Sequence, residues 1–321
     1  MKPRVGASAL YRGSPMMVTK DLAARGAVAG FQVRSNLDFL YLRDGGGDPL
    51  EVREADLGPP PEDEPLVRWL ARPNNPFEAS LYPTELGYRM WIPGMGSFGI
   101  DVPEPRITVP PGVDPSRREA RLWGVPASIL ASARGDLPLH ASAVDVDGRA
   151  LVFCGPSRFG KTTLAAAFLA AGYRVLAEDL TICRPGPSPE VLPGPALLRL
   201  RLDVYERLGP FTSTIVAAQD DDRVHLAIHE GRGSGAPVRL AAVVVLRRGS
   251  SDVQLYRVRP EPFLAELFSM SFCLPTDEDR SRSFAAAAGL AGSAPIWVLD
   301  RPLRFELIGE VVDRLVRSCL G

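Results

Sequence analysis

The sequence has no run approaching the ~18 apolar residues of a membrane-spanning helix, and no continuous apolar stretch follows the basic residues of "MKPRVGASALYRGSPMMVTKDL" at its start. Both absences lead to the expectation of a cytoplasmic protein without a membrane partner. Cysteine is scarce. Cys154, Cys183, Cys273 and Cys319 are too scattered for a CxxC metal knuckle, and without a secretory signal they read as reduced, mostly buried thiols rather than a disulfide framework. An excess of one charge is also missing. Lys+Arg number 37 against 38 Asp+Glu, for a formal net charge of −1, and no dense basic run exists to track a nucleic-acid backbone. Histidine is limited to 3 residues, of which His225 and His229 lie four apart without a neighbouring third ligand. The acidic "QDDDR" at 219–223 lacks the spaced ligands and glycine of a calcium loop, so it reads as a surface run.

Enough apolar sequence is present for a sizeable core: hydrophobic residues make up 45% and charged residues 23% of 321. That length suggests two domains, a strand-rich N-terminal one over 1–130 and a second over 131–321. In "GYRMWIPGMGSFGIDV" alternating Tyr88, Met90 and Ile92, the turn "PGMG", and alternating Phe98, Ile100 and Val102 predict a β-hairpin. "GPPPEDEP" at 58–65 predicts a stiff loop. Residues 114–135 predict a helical segment with Leu122, Ile129 and Leu130 as packing residues. Trp69, Trp91, Trp123 and Trp297 are expected in the core or at a domain contact. No repeat of solenoid length occurs.

The chemistry concentrates after Leu139. "LHASAVDVDGRALVFCG" predicts two strands joined at "DVDG", the second running into "GPSRFGKTT", and "KTTLAAAFLAAGY" predicts a helix ending at Gly172. "RVLAEDLTIC" predicts the next strand. Residues Gly155, Pro156, Ser157, Arg158, Phe159, Gly160, Lys161, Thr162 and Thr163 therefore form a GxxxxGK[ST] loop in its expected context. Such a loop wraps backbone N–H groups around phosphate oxygens and adds the positive end of a helix dipole. Lys161 would hold the β- and γ-phosphates of ATP or another nucleoside triphosphate, and the Thr162 hydroxyl would ligate Mg²⁺. Glu178 and Asp179, at the end of the following strand, point to the same crevice; one can help hold Mg²⁺ while the other accepts a proton from a hydroxyl. A water-activating ATPase would use the same groups. His140, one strand before the loop, is within possible reach of the phosphate end. Beyond it, "RPGPSPEVLPGPA" at 184–196 predicts a loop, "VRLAAVVVLRRG" a buried strand, and "FLAELFSMSF" and "FELIGEVVDRLVRSCL" helices.

Taken together, "LHASAV", "GPSRFGKTTLA", "GYRVLAEDLT" and "APVRLAAVVVL" resemble the catalytic domain of the HPr serine kinase/phosphorylase family and its relatives, including the kinases of lasso-peptide precursors, over about residues 135–310. The resemblance implies an α/β fold, a phosphoenolpyruvate-carboxykinase-like P-loop kinase domain with a smaller strand-rich α+β N-terminal domain. It also implies phosphoryl transfer to a Ser or Thr hydroxyl of a peptide or protein. In that reading Glu178 is the general base, His140 supports the reacting carboxylate and γ-phosphate, and Thr162 with Asp179 holds Mg²⁺. Arg239 in "APVR" is a candidate transition-state cation. Two departures stand out. The family has Asp-Asp where this chain has Glu178-Asp179, and small residues where it has Arg158 and Phe159. The N-terminal half does not resemble the domain preceding the kinase in the HPr enzyme, so the acceptor is expected to differ. Three functions stay open: a peptide or protein serine kinase with an acceptor groove involving loops 184–196 and 228–237, a kinase of a small hydroxyl-bearing metabolite, and a nucleotide-binding sensor. A homo-oligomer is compatible with each.

Overall fold

The computed structural model describes residues 22–71, 77–219, 222–228 and 234–321. Asp220 and Asp221, and residues 229–233 of the 228–237 loop with His229 among them, lie outside the described residues. The chain is a mixed α/β structure with several sheets. An eight-stranded sheet uses the chain from Ala23 to Val109. It contains the expected hairpin, in which Gly87–Ile92 pairs antiparallel with Gly96–Asp101 and Met90 faces Phe98. Alternation then decides the core: Leu50, Val52, Leu81, Phe98, Ile100 and Ile107 are fully buried on one face.

That face is covered by two helices rather than the one expected over 114–135. Pro115–Leu122 is capped by Asp114, whose carboxylate accepts from the N–H groups of Ser116 and Arg117. Trp123 and Gly124 then break the chain, and Val125–Ala133 restarts it. Pro126 explains the break, since a proline is tolerated in a helix's first turn but has no N–H to continue one. Leu122, Ile129 and Leu130 are buried as expected, and Trp123 joins them while donating to Glu119. Trp69 packs at the edge of the same core and Trp297 at the edge of another.

The second sheet has nine strands and places the glycine loop. Ala141–Val146 and Arg149–Cys154 form a hairpin through Asp147 and Gly148, both at positive φ, as a tight turn requires. Arg149–Cys154 then pairs in parallel with Val238–Arg247, which pairs in parallel with Ile296–Asp300. The three strands therefore end at the same edge. Period-two alternation sends Val152, Val243, Val245 and Val298 to one face, against Ala286, Ala287 and Leu290 of helix Asp277–Ser293. Leu151, Phe153, Val244 and Leu299 go to the other, against helices Lys161–Ala170 and Ile308–Leu320. Phe153 and Phe168 meet there at 5.5 Å between ring centroids. Burial of each such ring contributes about 1.5–3 kcal/mol, which holds the helix after the loop to the sheet.

The 184–196 segment is more ordered than a proline-rich loop. Its centre, Glu190–Leu192, pairs with Thr181–Arg184 and with Val238–Arg247. Pro185, Pro189 and Pro193 lie outside the paired stretch, where a missing N–H costs no ladder bond. A third sheet, Leu197–Arg201, Arg223–Ile228 and Thr214–Gln219, packs Leu198 and Leu200 against Ala166 of the helix after the loop. Arg43, 1% exposed, ties the first sheet to the second, donating to the carbonyls of Gly194 at 2.7 Å, Val175 at 2.9 Å and Leu176 at 3.1 Å. No helix among the described residues is long and apolar enough to cross a membrane.

Candidate active site

Gly155 and Gly160 do different jobs in the loop between strand Arg149–Cys154 and helix Lys161–Ala170. Gly155 has φ +153, and a Cβ there would meet the backbone oxygen of Leu246 at 3.3 Å and its Cβ at 3.2 Å. The close approach to the neighbouring strand and the positive φ together disfavour a side chain there. Gly160 has φ +87 and is the N-cap of the helix, without any side-chain hydrogen bond to the first turn. The helix N-terminus is thus open, with orphan N–H groups and the dipole's positive end available to an anion.

Arg158 and Phe159 are the bulky interior residues of the loop. Arg158 takes φ +67, the left-handed conformation that a glycine would supply, at a cost of about 1 kcal/mol, and its side chain is exposed. Phe159 is half-buried and packs against the core beneath the loop. Lys161 is 7% exposed and folds back so that Nζ donates to the carbonyls of Gly155 at 2.8 Å and Pro156 at 3.2 Å. Burial lowers its pKa against the opposing pull of Asp179, Cys154 and Glu178. Lys2, Lys20 and Lys161 are the only lysines of an arginine-rich chain, so a lysine in the loop is an exception to the chain's own usage.

The acidic pair sits in a break, not at the middle of one continuous strand. Arg174–Ala177 ends, Asp179 takes φ +67, Leu180 donates its N–H to the Glu178 carbonyl at 2.8 Å, and Thr181–Arg184 begins. An i to i+2 hydrogen bond around a positive-φ residue is the strained form of the γ-turn. It sends the two adjacent carboxylates to different partners. Glu178, 5% exposed, accepts from the Thr162 hydroxyl at 3.0 Å. Asp179, 49% exposed, lies beside His140, whose Nδ1 is 3.1 Å from both its Oδ1 and its carbonyl oxygen. Both neighbours are acceptors, so Nδ1 carries the proton. The expectation from sequence paired Thr162 with Asp179; the structure pairs Thr162 with Glu178 and His140 with Asp179.

Arg199 completes the network and was not among the residues singled out in the sequence. Its Nε donates to Glu178 and its Nη2 to Asp179, each at 3.0 Å. Glu178, and then Asp179, hold its pKa above the ordinary arginine value despite burial. In return, against the desolvation that raises it, the His140 hydrogen bond and Arg199 hold Asp179 well below the usual carboxylate range. One guanidinium thus bridges two adjacent carboxylates and helps to keep Asp179 ionised. The available signal was a charged residue between apolar neighbours in "LLRLR", but its target lies on a different sheet.

Arg239 is not part of this constellation. In the parallel pairing it faces Arg149, whereas Cys154, which leads into the loop, faces Val245. The strand direction puts Arg239 at the opposite end of the sheet. His225 lies in strand Arg223–Ile228 rather than in a helix. Among the described residues no group of three or more His, Cys, Asp or Glu side chains is arranged to hold a metal. Cys154 and Cys183 are buried free thiols, and Cys273 and Cys319 are half-buried and also free.

No family model matches the chain, and no curated protein matches it. Among solved structures the chain is similar to the Hpr(Ser) kinase/phosphatase from Coxiella burnetii, at 9% identity and a TM-score of 0.29, over 56% of this chain and 94% of that one.

Proposed function

We propose that this protein is an ATP- and Mg²⁺-dependent kinase that transfers the γ-phosphoryl group to a Ser or Thr hydroxyl of a peptide or protein. The observation that carries the reading is the hydrogen bond between Thr162, first turn of the helix after the glycine loop, and Glu178. It brings a phosphate-binding loop and an acidic pair into one site. Lys161 exchanges its loop carbonyls for phosphate oxygens, and the first-turn N–H groups of the helix hold the same phosphates.

Magnesium needs only one or two protein oxygens when phosphates and water fill the remaining positions, so the lack of a three-carboxylate cluster is no obstacle. Thr162 and Glu178 fit that need and would hold the ion. When bound, it neutralises charge on the phosphate oxygens. Asp179 then takes the role that the sequence assigned to Glu178: it orients the acceptor hydroxyl and receives its proton. His140 positions the Asp179 carboxylate, and Arg199 keeps it ionised beside Glu178.

The acceptor's size follows from exposure. His140 is 48% and Asp179 49% exposed, so the acceptor side of the site is open, which favours a peptide or protein over a metabolite enclosed in a pocket. We assign acceptor recognition to the N-terminal region, 1–130. Incubation with labelled ATP, Mg²⁺ and Ser/Thr-containing peptides, followed by mass spectrometry, tests the reading. Phosphorylated peptide is expected; label that passes only to water or to a small alcohol overturns the peptide-kinase assignment.

A further inference from the structure

Arg301 immediately follows strand Ile296–Asp300, at the sheet edge where Arg149–Cys154 delivers the glycine loop. It is 3% exposed. Its Nη2 lies 3.0 Å from the point where a Cβ on Gly160 would sit, so its guanidinium rests against the loop at the residue that opens the helix. Among the described residues no hydrogen bond, ion pair or ring contact reaches that guanidinium. The neighbouring acid does not supply one: Asp300 Oδ1 accepts from the N–H groups of Gly249 at 2.9 Å and Ser250 at 3.0 Å. Two other arginines of this region are satisfied, buried Arg43 by three carbonyls and half-buried Arg199 by two carboxylates.

A guanidinium in a residue only 3% exposed, with no protein acceptor, is costly to hold, and an anion seated beside it offsets that cost. Its planar fork matches phosphate bidentately. We propose that Arg301 is a second phosphate-binding cation of the site, contacting the phosphate chain of the nucleotide alongside Lys161. The proposal rests on the reading of the 155–162 loop as a phosphate site and adds a residue to it from outside the glycine motif. Because Gly160 precedes the lysine, the contact belongs to the phosphates that ATP and ADP share.

The test is calorimetric titration of the full chain with Mg·ATP and with Mg·ADP, together with thermal melting in the absence and presence of each. Arg301→Met is expected to bind both nucleotides at least about tenfold more weakly. Its unliganded melting temperature is expected to stay level or rise, because an unpaired buried charge has been removed, while the nucleotide-induced rise shrinks. Arg301→Lys restores part of the affinity. An Arg301→Met protein that binds as wild type overturns the proposal, and so does one that melts lower unliganded while keeping its affinity, which marks a structural arginine. Should the methionine variant not fold, Arg301→Gln carries the same comparison. Wild-type protein that binds neither nucleotide overturns the loop reading itself. Affinity lost in Lys161→Ala but kept in Arg301→Met overturns only the role of Arg301.

Discussion

Arg199→Met removes the cation between the two carboxylates and leaves an apolar stem of similar length. At an effective dielectric of about 20, charges about 4 Å apart interact by about 4 kcal/mol before desolvation is subtracted. Asp179 is half-exposed, so its share falls to that of a surface pair, about 0–1 kcal/mol. Glu178 is 5% exposed and Arg199 26%, so removing this partner belongs near the lower end of the cost of breaking a buried pair, about 3 kcal/mol. The sum predicts a loss of about 3–4 kcal/mol and a fall in melting temperature on the order of 5–10 °C at pH 7. The sign of the pH dependence follows from Asp179, whose pKa is depressed in the folded protein. Its contribution is fully present above the unfolded carboxylate value, about 3.9, and is lost as pH falls through the lower folded value. The gap between wild type and Arg199→Met should therefore hold from about pH 8 to 5 and narrow below about pH 4. Calorimetric melts across that range measure it. A gap that is absent at pH 7, or that widens in acid, refutes the electrostatic account of the clamp.

Other expectations follow from single contacts. Arg43→Ala removes the guanidinium from the carbonyls of Gly194, Val175 and Leu176, of which Leu176 still accepts from the Gly194 N–H, and should cost about 2–4 kcal/mol by urea unfolding; a loss below about 1 kcal/mol contradicts its place as the tie between sheets. Asp179→Asn should lower kcat at least about a hundredfold while Mg·ATP still binds, whereas Glu178→Gln should raise the Mg²⁺ concentration needed for half-maximal rate. The reverse pattern would return the two carboxylates to the roles the sequence suggested. Burial pushes the Cys154 thiol up to about 12 and Cys183 well above its ordinary value, so neither should react with a thiol reagent until the protein is denatured. Labelling of Cys154 in native protein is the contrary result.

The features legible in the sequence were those carried by consecutive residues. The glycine loop, its flanking strand and helix, the "DVDG" turn and the "PGMG" hairpin each declare themselves by local φ requirements and alternation. Direction and partnership were not legible. Arg239 lies in a strand of the right sheet, but parallel pairing places it at the end away from the loop. The different partners of Glu178 and Asp179 go with one positive φ at Asp179, which redirects side chains that strand alternation alone would place differently. Arg199 and Arg301 reach the site from chain segments with no shared motif, and only the sheet order brings them in. Residues 114–135 are helical as the pattern suggests, but the division at Trp123 and Gly124 depends on Pro126, which opens a second helix.

The central claim is that one site joins a triphosphate held by the 155–162 loop to the carboxylates at 178 and 179. Titration of wild type and Lys161→Ala with ATP in the presence of Mg²⁺ tests it most directly. Lys161 bonds only loop carbonyls here, so the variant should fold. The account predicts Mg²⁺-dependent binding of ATP by wild type and a loss of at least about a hundredfold in Lys161→Ala. Wild-type protein that binds no nucleoside triphosphate, or a Lys161→Ala variant that binds as tightly as wild type, contradicts it.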